Sequence, residues 1–501
     1  MKYVLTGKEM KDCDTFTIEE MQLPSVVLME RAALAAKQEI EAAYGPESRV
    51  LVLCGSGNNG GDGFAVARLL LLDGIAADIY FAGKETSLTP ETALQKKIFE
   101  NYGGKYCRKS DFSEYTVLVD ALFGIGLSRP ITGAYAKLIH RINVSGQPVV
   151  ALDMPSGISA DTGEVLGCGV KAQQTITFAF MKRGQILYPG TEYCGKLVVK
   201  DIGITEHSLA NLQEPAFTYK KEDLKLLPQR IPRSNKGTYG SVLLIAGGEN
   251  MAGAAVLSGK SAYRTGCGLV HILAEEMNRT ILQSNLPEAV FSSWQQRNGL
   301  EVALSRVRVV GVGPGLGTGE KAHRLVKEVL ESWNGPLVMD ADALNILASH
   351  PEYLQNSSAQ VIITPHPGEM ARLTGYRIPE ILENITEVCR EYAAKHQIIC
   401  VLKDARTIVS DGEKLYINTS GNDGMAVGGS GDVLTGIICS LLAQGMEPFK
   451  AACEGVYLHG MAGDAAAGKL GCRSMMSCDI TEYIPKILNF KNWDISENIE
   501  L

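Results

Sequence analysis

The sequence predicts two successive α/β domains, each with a mostly parallel sheet. The chain has 501 residues, which is too long for one ordinary hydrophobic core. Short apolar segments alternate with helical segments in both halves, as in βαβ units. Residues 204–218 lose this periodicity, so we expect a linker there, between the two domains.

The N-terminal half begins with a helical region and continues with a strand–loop–helix motif. Residues 1–45 are expected to be helical, with an apolar helical pattern over 26–43. A strand at 49–53 enters a glycine-rich loop at 54–63, and a helix is predicted over 64–72. Gly55, Gly57 and Gly60 match the G-x-G-x-x-G spacing of Rossmann-like domains. The next strand, 77–81, lacks the terminal acid that holds a ribose, which disfavours an ordinary dehydrogenase.

Polar side chains follow three strands of this half. Asn59 comes after the strand at 49–53, and Asp120 and Asp153 end strands at 117–120 and 149–153. Because the carboxyl ends of parallel strands line one crevice, we expect these side chains to converge on a ligand site. The alternative is that each acid only caps a following helix.

The C-terminal half repeats the alternation of strands and helices. A helix rich in small residues is expected at 252–265. Strands are expected at 241–246, 269–273, 307–311, 337–340, 361–364 and 398–402. This half is therefore predicted to be a second, mostly parallel α/β domain.

The run from Gly424 to Gly436 is the most informative stretch of the chain. Gly428–Gly431 should form a loop at the N-terminus of an amphipathic helix, where free N–H groups attract an anion. Asp432, in the first turn, is placed to act as the base for an attacking hydroxyl. The alternative is an ordinary glycine turn in which Asp432 complements the helix dipole.

Composition and charge exclude several classes of protein. The net charge of -8, without a basic stripe, argues against nucleic acid as the main partner. The 12 cysteines include no Cys-x-x-Cys pair and no metal-like grouping with histidine. No segment has the pattern of a signal peptide or of a membrane span. We therefore expect a cytoplasmic enzyme with free thiols and no membrane partner.

With these motifs assembled, the chain resembles the bifunctional NAD(P)H-hydrate repair enzymes over essentially its whole length. Residues 1–215 resemble the NAD(P)H-hydrate epimerase domain. Residues 216–501 resemble the ADP-dependent (S)-NAD(P)H-hydrate dehydratase domain, which has a ribokinase-like fold. The motifs that carry the resemblance are 57–63, 120–126, 153–157, 313–317, 340–345, 364–369 and 428–432. The resemblance implies epimerisation of the R and S hydrates, and dehydration of the S form at the expense of ADP, giving AMP and phosphate.

For the first domain, the resemblance implies a substrate site and a potassium site. Asp153 is the candidate acid–base group of the epimerisation. The implied K⁺ ligands are Asn59, Asp120 and Ser156, whose oxygen atoms suit a hard cation. The implied substrate residues are Asn58, Asn59, Gly60, Gly61, Asp62, Gly124, Ile125, Gly126, Leu127, Ser128, Arg129, Pro130 and Asp153.

For the second domain, the resemblance implies that Asp432 is the catalytic base. The family usually has Lys-Gly where this chain has Lys403-Asp404, and an acidic side chain there would disturb the nucleotide contact. His366 has an alternative role as a loop cap. The implied hydrate contacts are Ala254, Gly315, His366 and Asp432. The implied nucleotide contacts are Lys403, Asp404, Ala405, Arg406, Thr407 and Gly431, and the implied anion hole is Gly428, Gly429, Ser430 and Gly431.

The expected small-molecule partners are NADH hydrate (NADHX), NADPH hydrate (NADPHX) and ADP with Mg²⁺, and a homo-oligomer is expected. Two other functions remain open on the residues alone. The second domain could be a ribokinase-like kinase for a vitamin precursor, because the glycine loop and its Asp recur across that fold. The first domain could be a ligand-sensing or protein-binding module without catalysis.

Overall fold

The structure is a computed structural model, and it describes residues 1–108, 111–296, 298–355 and 357–489. The chain divides into two compact units, Lys2–Ala216 and Phe217–Leu501, with Met1 grouped with the second. Within the described ranges, no helix has the length and apolar content that crossing a membrane requires.

The first unit alternates strands and helices as the sequence predicts. Its elements are β1 (Lys2–Leu5), α1 (Gly7–Glu19), α2 (Ser25–Tyr44), β2 (Arg49–Cys54), α3 (Asn58–Leu72), β3 (Ala76–Phe81), α4 (Pro90–Asn101), β4 (Lys105–Tyr106), β5 (Val117–Ala121), α5 (Gly133–Val144), β6 (Val149–Leu152), β7 (Gln174–Phe178), β8 (Met181–Lys182), α6 (Arg183–Ile186), α7 (Thr191–Cys194) and β9 (Lys196–Lys200). Seven strands form a parallel sheet in the order β4-β3-β2-β5-β6-β7-β9.

Helices cover both faces of this sheet, so the predicted three-layer Rossmann-like architecture is confirmed. Side chains of β2 alternate between the faces. Val50 and Val52 pack in one apolar cluster with α2 and α3. Leu51 and Leu53 pack in another cluster with α5. The β2 side chains that belong to these two clusters are fully buried on both faces of the sheet, which explains why the strand is apolar from Val50 to Cys54.

The predicted linker at 204–218 contains the division between the two units, after Ala216, and it also includes a 3₁₀ turn, Glu206–Asn211, and ends in a strand. Two local predictions for this unit were wrong. Residues 1–45 are not all helical, because β1 precedes α1. Helix α3 begins at Asn58 rather than at 64. A Cβ atom on Gly60 would lie 2.1 Å from the carbonyl oxygen of Gly55, so the helix backbone needs glycine to pack against the preceding loop.

The second unit also alternates strands and helices. Its elements are β10 (Ala216–Thr218), β11 (Ser241–Ile245), α8 (Ala252–Thr265), β12 (Leu269–Ala274), α9 (Arg279–Asn285), β13 (Val290–Ser293), α10 (Gly299–Leu304), β14 (Val309–Val312), α11 (Glu320–Ser332), β15 (Pro336–Met339), α12 (Asp342–Ser349), α13 (Glu352–Gln355), β16 (Gln360–Ile363), α14 (Pro367–Thr374), α15 (Ile378–Glu383), α16 (Ile385–His396), β17 (Ile399–Leu402), β18 (Ile408–Ser410), β19 (Leu415–Ile417), α17 (Ser430–Ala443), α18 (Pro448–Leu470) and α19 (Ser477–Leu488).

The predicted, mostly parallel sheet of this unit is confirmed. Strands β13-β12-β11-β14-β15-β16-β17 are parallel neighbours, and β18 and β19 continue the sheet in antiparallel fashion. Helix α17 is central, since every residue from Val433 to Ala443 is buried. It packs closely on α8, because a Cβ atom on Gly436 would lie 2.1 Å from the carbonyl oxygen of Ser258. The core thus fixes the N-terminus of α17 at the carboxyl edge of the sheet.

Candidate functional site

The first unit contains a cavity of about 1020 Å³ at the carboxyl ends of β2, β5 and β6. Of the predicted substrate residues, its wall includes Asn58, Asn59, Asp62, Gly124, Ile125, Gly126, Leu127, Ser128, Arg129 and Asp153. Gly60, Gly61 and Pro130 are not on the wall. Gly61 instead gives room for its neighbours, since a Cβ atom there would lie 2.8 Å from Met29 Cε and from Thr92 Oγ1. Asn59 and Asp153, which come from two separate strand ends, therefore share one cavity, whereas Asp120 is buried and is not on its wall.

Asp153 stands at the centre of a polar network on the cavity wall. Its backbone has φ +62°, a left-handed conformation that is strained for a non-glycine residue and common at functional sites. Lys182 Nζ donates to Asp153 Oδ1 at 2.6 Å, to Thr177 Oγ1 at 2.8 Å and to the Phe178 carbonyl at 3.1 Å. Thr177 also donates to Asp153 Oδ1 at 3.2 Å. Hence one oxygen of Asp153 is held by the protein, while Oδ2 is left for a ligand.

Sequence reasoning missed Lys182, although a signal was available. The residue follows the apolar run from Phe178 to Met181, and it is almost completely buried. A lysine in such a run is costly unless an acid pairs with it. Lys182 was nevertheless not assigned to the site, because its partner, Asp153, lies 29 residues earlier in the sequence.

The three predicted K⁺ ligands, Asn59, Asp120 and Ser156, are all buried, and two of them are in contact. Ser156 Oγ donates to Asp120 Oδ1, and Ser156 N donates to Asp120 Oδ2, both at 2.7 Å. Burial raises the pKa of Asp120 to about 6, even though Ser156 and Leu122 donate hydrogen bonds to it. Both amide atoms of the Asn59 side chain are buried without a hydrogen-bond partner in the described structure. The chemistry of these groups, an unpartnered amide oxygen, a carboxyl and a hydroxyl, fits a hard monovalent cation.

Two further carboxyl groups, those of Asp14 and Asp62, lie on the cavity wall. Burial raises the pKa of Asp62 well above its usual range, and the charges of Asp153 and Asp14 add to the effect. Burial also raises the pKa of Asp14 to about 6, with Lys182 opposing and Asp153 adding. Burial thus favours the protonated forms of both Asp14 and Asp62 relative to freely solvated carboxyl groups.

In the second unit, Asp432 lies in the first turn of α17, as predicted. Burial raises its pKa to about 7, the repulsion of Asp340 adds to this shift, and the attraction of Lys403 opposes it. Asp340 is buried at the end of β15, where Lys403 Nζ donates to Oδ1 at 2.7 Å and Thr435 Oγ1 donates to Oδ2 at 2.8 Å. A carboxyl that titrates near neutral pH is suited to act as a general base.

The glycine loop shapes the N-terminus of α17. Gly429 has φ +91° and directly precedes the helix, while Ser430 and Gly431 are already helical. Ser477 Oγ donates to the Gly428 carbonyl at 2.8 Å, which holds the loop in place. A Cβ atom on Gly431 would lie 3.2 Å from Lys403 Nζ, so glycine here leaves room for the ammonium group. The helix N-terminus offers free N–H groups and partial positive charge to an anion, and the Lys403 ammonium group lies close to it.

The predicted hydrate contacts fall into two groups. Gly315 and Ala254 are neighbours, because a Cβ atom on Gly315 would lie 3.0 Å from Ala254 Cβ. His366 is the N-cap of α14, and its Nδ1 accepts from Gly368 N at 2.9 Å. Burial, Lys403 and Arg372 lower the pKa of His366. The proton of the neutral ring is therefore on Nε2, and the half-exposed ring is both a helix cap and a potential donor.

The predicted nucleotide loop lies between β17 and β18. Asp404 and Ala405 are exposed on it. Arg406 donates to the Thr419 carbonyl at 3.3 Å, which ties the loop to the segment after β19. Lys403 faces inward to Asp340, so its first function is to neutralise that buried carboxylate. The pairing of Lys403 with Asp340 was not foreseen from the sequence.

Two family models match the chain, each within one compact unit. Residues 25–184 match the model described as YjeF-related protein N-terminus. Residues 242–486 match the model described as NAD(P)H-hydrate dehydratase.

Curated relatives match nearly the whole chain. The bifunctional NAD(P)H-hydrate repair enzyme Nnr of Moorella thermoacetica is 37% identical, over 99% of this chain and 98% of its own. The enzyme of the same name from Escherichia coli K12 is 37% identical over 94% of this chain and 92% of its own.

Solved structures resemble the second half. The ADP/ATP-dependent NAD(P)H-hydrate dehydratase of Bacillus subtilis, co-crystallised with ATP and Mg²⁺, matches with a TM-score of 0.50 and 31% identity, covering 56% of this chain and 99% of its own. A ribokinase-like superfamily protein from Enterococcus faecalis V583 matches with a TM-score of 0.51 and 28% identity, covering 55% and 96%. The predicted ribokinase-like fold is confirmed.

Proposed function

The chain belongs to the family of bifunctional NAD(P)H-hydrate repair enzymes, and we propose that it carries out both reactions of that family. The first unit would interconvert the R and S forms of NADHX and NADPHX. The second would dehydrate the S form with ADP, giving AMP and phosphate. The family match favours this function over the vitamin-precursor kinase, because the relatives cover both units. The 12 free cysteines support a cytoplasmic location, and assembly into a homo-oligomer belongs to the same proposal.

The observation that carries the dehydratase proposal is Asp432 beside the N-terminus of α17. In this mechanism Asp432 removes the proton of the hydrate's hydroxyl as it attacks the β-phosphoryl group of ADP. The amides of Gly428–Gly431 and the charge of Lys403 stabilise the developing phosphoryl charge. Phosphate then leaves with the bonding pair of the C–O bond, and the neighbouring ring carbon loses a proton to solvent, so that its C–H pair forms the nicotinamide double bond.

Mg²⁺ would enter this site with the nucleotide. Among the described residues, no three or more His, Cys, Asp or Glu side chains are grouped to hold a metal. Nucleotide phosphates commonly supply most of the ligands of Mg²⁺. The ion would add positive charge beside the transferred group.

In the first unit, Asp153 is proposed as an acid–base group that uses its free Oδ2. Lys182 and Thr177 fix the carboxylate on the Oδ1 side, so only one oxygen is directed to the substrate. Asn59, Asp120 and Ser156 would hold K⁺, whose charge balances Asp120 and orders the neighbouring loop.

The decisive assay follows the near-ultraviolet absorbance of reduced nicotinamide. Purified full-length protein is mixed with S-NADHX, Mg²⁺ and either ADP or ATP. Return of the absorbance with at least one nucleotide is the expected result. A stable phosphorylated product, without recovery of NADH, would instead support the kinase.

Dehydration should depend on the protonation of Asp432. Because burial raises the pKa of this carboxyl to about 7 and the base must be ionised, the rate should rise as pH increases through about 7. The measurement is kcat for S-NADHX between pH 5.5 and 8.5 with saturating ADP. A flat profile over this range would argue against Asp432 as the base.

Epimerisation should depend on K⁺. Replacing K⁺ with tetramethylammonium at constant ionic strength should slow R-to-S conversion by roughly tenfold, because Asp120 and Asn59 lose their shared partner. The rate is followed by chromatographic separation of the two epimers without ADP. Asn59→Leu is the matched variant, and it should be slow and insensitive to the cation. An equal K⁺ response in both proteins would contradict the proposed ligand set.

A further inference from the structure

Helix α1 forms one wall of the cavity in the first unit. Its residues Met10, Lys11, Asp14 and Ile18, which recur at helical spacing, all face the cavity. No motif of the sequence pointed to this helix. It therefore brings a carboxyl group, that of Asp14, to the substrate region from a separate element.

The start of α1 is anchored to the same segments that carry the proposed epimerase residues. Gly7 N donates to Asp161 Oδ1 at 2.6 Å, and Arg183 pairs with Glu9 at 3.4 Å. A Cβ atom on Gly7 would lie 3.0 Å from the Ile125 carbonyl oxygen. These contacts hold α1 against the 124–130 loop and the segment after Asp153, so the position of Asp14 is set by the fold.

Asp14 and Asp153 differ in their hydrogen bonds. Asp153 Oδ1 is occupied by Lys182 and Thr177. Lys182 has three acceptors and no N–H left to donate to a substrate. In contrast, no donor among the described residues contacts the Asp14 carboxyl, which is free to exchange a proton with a ligand.

Epimerisation by loss and return of the hydroxyl needs two proton-transfer groups. One group protonates the hydroxyl that leaves from one face of the ring, and another receives a proton from the water that adds to the opposite face. A single fixed carboxylate serves only one face. We propose that Asp14 is the second acid–base residue of the epimerase and works with Asp153 across the ring, an assignment that rests on the proposed epimerase function.

The step balances without a redox partner. The protonated carboxyl gives its proton to the hydroxyl, the C–O bond breaks, and water leaves with the bonding pair. The ring nitrogen donates its lone pair to form a C=N iminium. Water adds to the other face, the C=N π pair returns to nitrogen, and the second carboxylate takes the proton. The two carboxyl groups exchange protonation states, and solvent resets them.

The charged groups that share the cavity wall with Asp14 come from several elements. They are Lys11 on α1, Asp62 on α3, Lys84 after β3, Arg129 after β5, Asp153 after β6 and Lys182 on β8. Burial, with Asp153 adding and Lys182 opposing, gives Asp14 a pKa of about 6, so both of its forms are accessible near neutral pH. Burial raises the pKa of Asp62 well above its usual range, and the charges of Asp153 and Asp14 add to this shift.

The test measures R-to-S conversion of NADHX by the full-length protein without ADP, so that the hydrate is not consumed. Asp14→Asn should slow the conversion by about 10²–10³-fold. It should also remove the wild-type pH dependence near 6, which a merely structural role of Asp14 would not do. Asp14→Glu should recover part of the rate. Asp12→Asn, an exposed acid on the same helix, is the matched control and should behave as wild type.

Two readouts separate the possible failures. Dehydration of S-NADHX with ADP should stay within about twofold in Asp14→Asn, which shows that the chain is folded. In H₂¹⁸O, wild-type conversion should add one labelled oxygen per epimerisation. Any of three results overturns the role of Asp14. They are an Asp14→Asn conversion rate within threefold of wild type, an unchanged pH profile in that variant, and the absence of ¹⁸O label in the wild-type product. No acceleration by the wild-type protein overturns the epimerase function itself.

Discussion

Asp432→Asn is expected to lower the rate of S-NADHX dehydration by about 10²–10⁴-fold while nucleotide binding is largely kept. The amide cannot accept the hydroxyl proton during attack on the phosphoryl group. The helix N-terminus, the loop amides and Lys403 remain, so the positively charged end of the site persists. The measurement combines single-turnover kinetics of NADH recovery with calorimetric titration of ADP and Mg²⁺.

Asp423→Asn is the matched control, since this acid is exposed on the turn that precedes the glycine loop. It should change neither rate nor binding. A weak affinity for ADP in Asp432→Asn would show that Asp432 is mainly a helix cap or supports a metal ion. Undiminished dehydration would exclude it as the base.

Lys403→Met is expected to lower the free energy of unfolding by roughly 3 kcal/mol, because it leaves a buried carboxylate without its cation. Burial alone would raise the pKa of Asp340, yet the charge and hydrogen bond of Lys403, with bonds from Thr364 and Thr435, hold it below the usual range. The ion pair therefore stabilises the protein above the unfolded-state pKa of the acid, and this stabilisation is lost as pH falls through the lower, folded-state pKa.

Urea denaturation at pH 7 measures the effect of Lys403→Met. Lys327→Met is the control, since Lys327 pairs with Glu331 on the exposed surface of α11 and should contribute about 0–1 kcal/mol. Equal midpoints for the two variants would show that Asp340 finds another partner or takes up a proton at little cost. In that case Lys403→Asn, which removes the charge and also shortens the side chain, would be compared with Lys403→Met to separate the effect of side-chain volume from that of charge.

The sequence by itself determined the fold class of both units. Buried parallel strands need apolar runs, and their carboxyl ends need glycine or polar residues, so both patterns are written locally in the chain. The helix at Ala252–Thr265 was predicted with the bounds that the structure has. The start of α3 was not, because the glycines of 57–63 signal a loop unless their close packing against Gly55 is known.

The candidate site was predictable in part. Asp120 lies near the end of β5 and Asp153 directly follows β6. Asn59 and Asp432 lie in the first turns of α3 and α17. Such positions carry local sequence signals. Their family roles remain predictions for the experiments above. The hydrogen-bond network around Asp153 was not foreseen. Lys182 lies 29 residues after Asp153 in the sequence, and only the folded chain brings its ammonium group to the Asp153 carboxylate.

Only the tertiary structure decided which charged groups act on one another. Asp14 lies on the same cavity wall as Asp153, and its helix α1 is anchored to Asp161 and Arg183, more than 150 residues later in the chain. Lys403 contacts Asp340 because their strands, β17 and β15, are separated in the sheet only by β16, and both residues directly follow the carboxyl ends of those strands. The burial of a titratable group and its pairing with other charges depend on distances in the folded structure. Both shift the pKa of the group by an amount that no local sequence pattern encodes. The sequence therefore determined where chemistry is placed along the chain, and the fold determined the protonation states with which it is done.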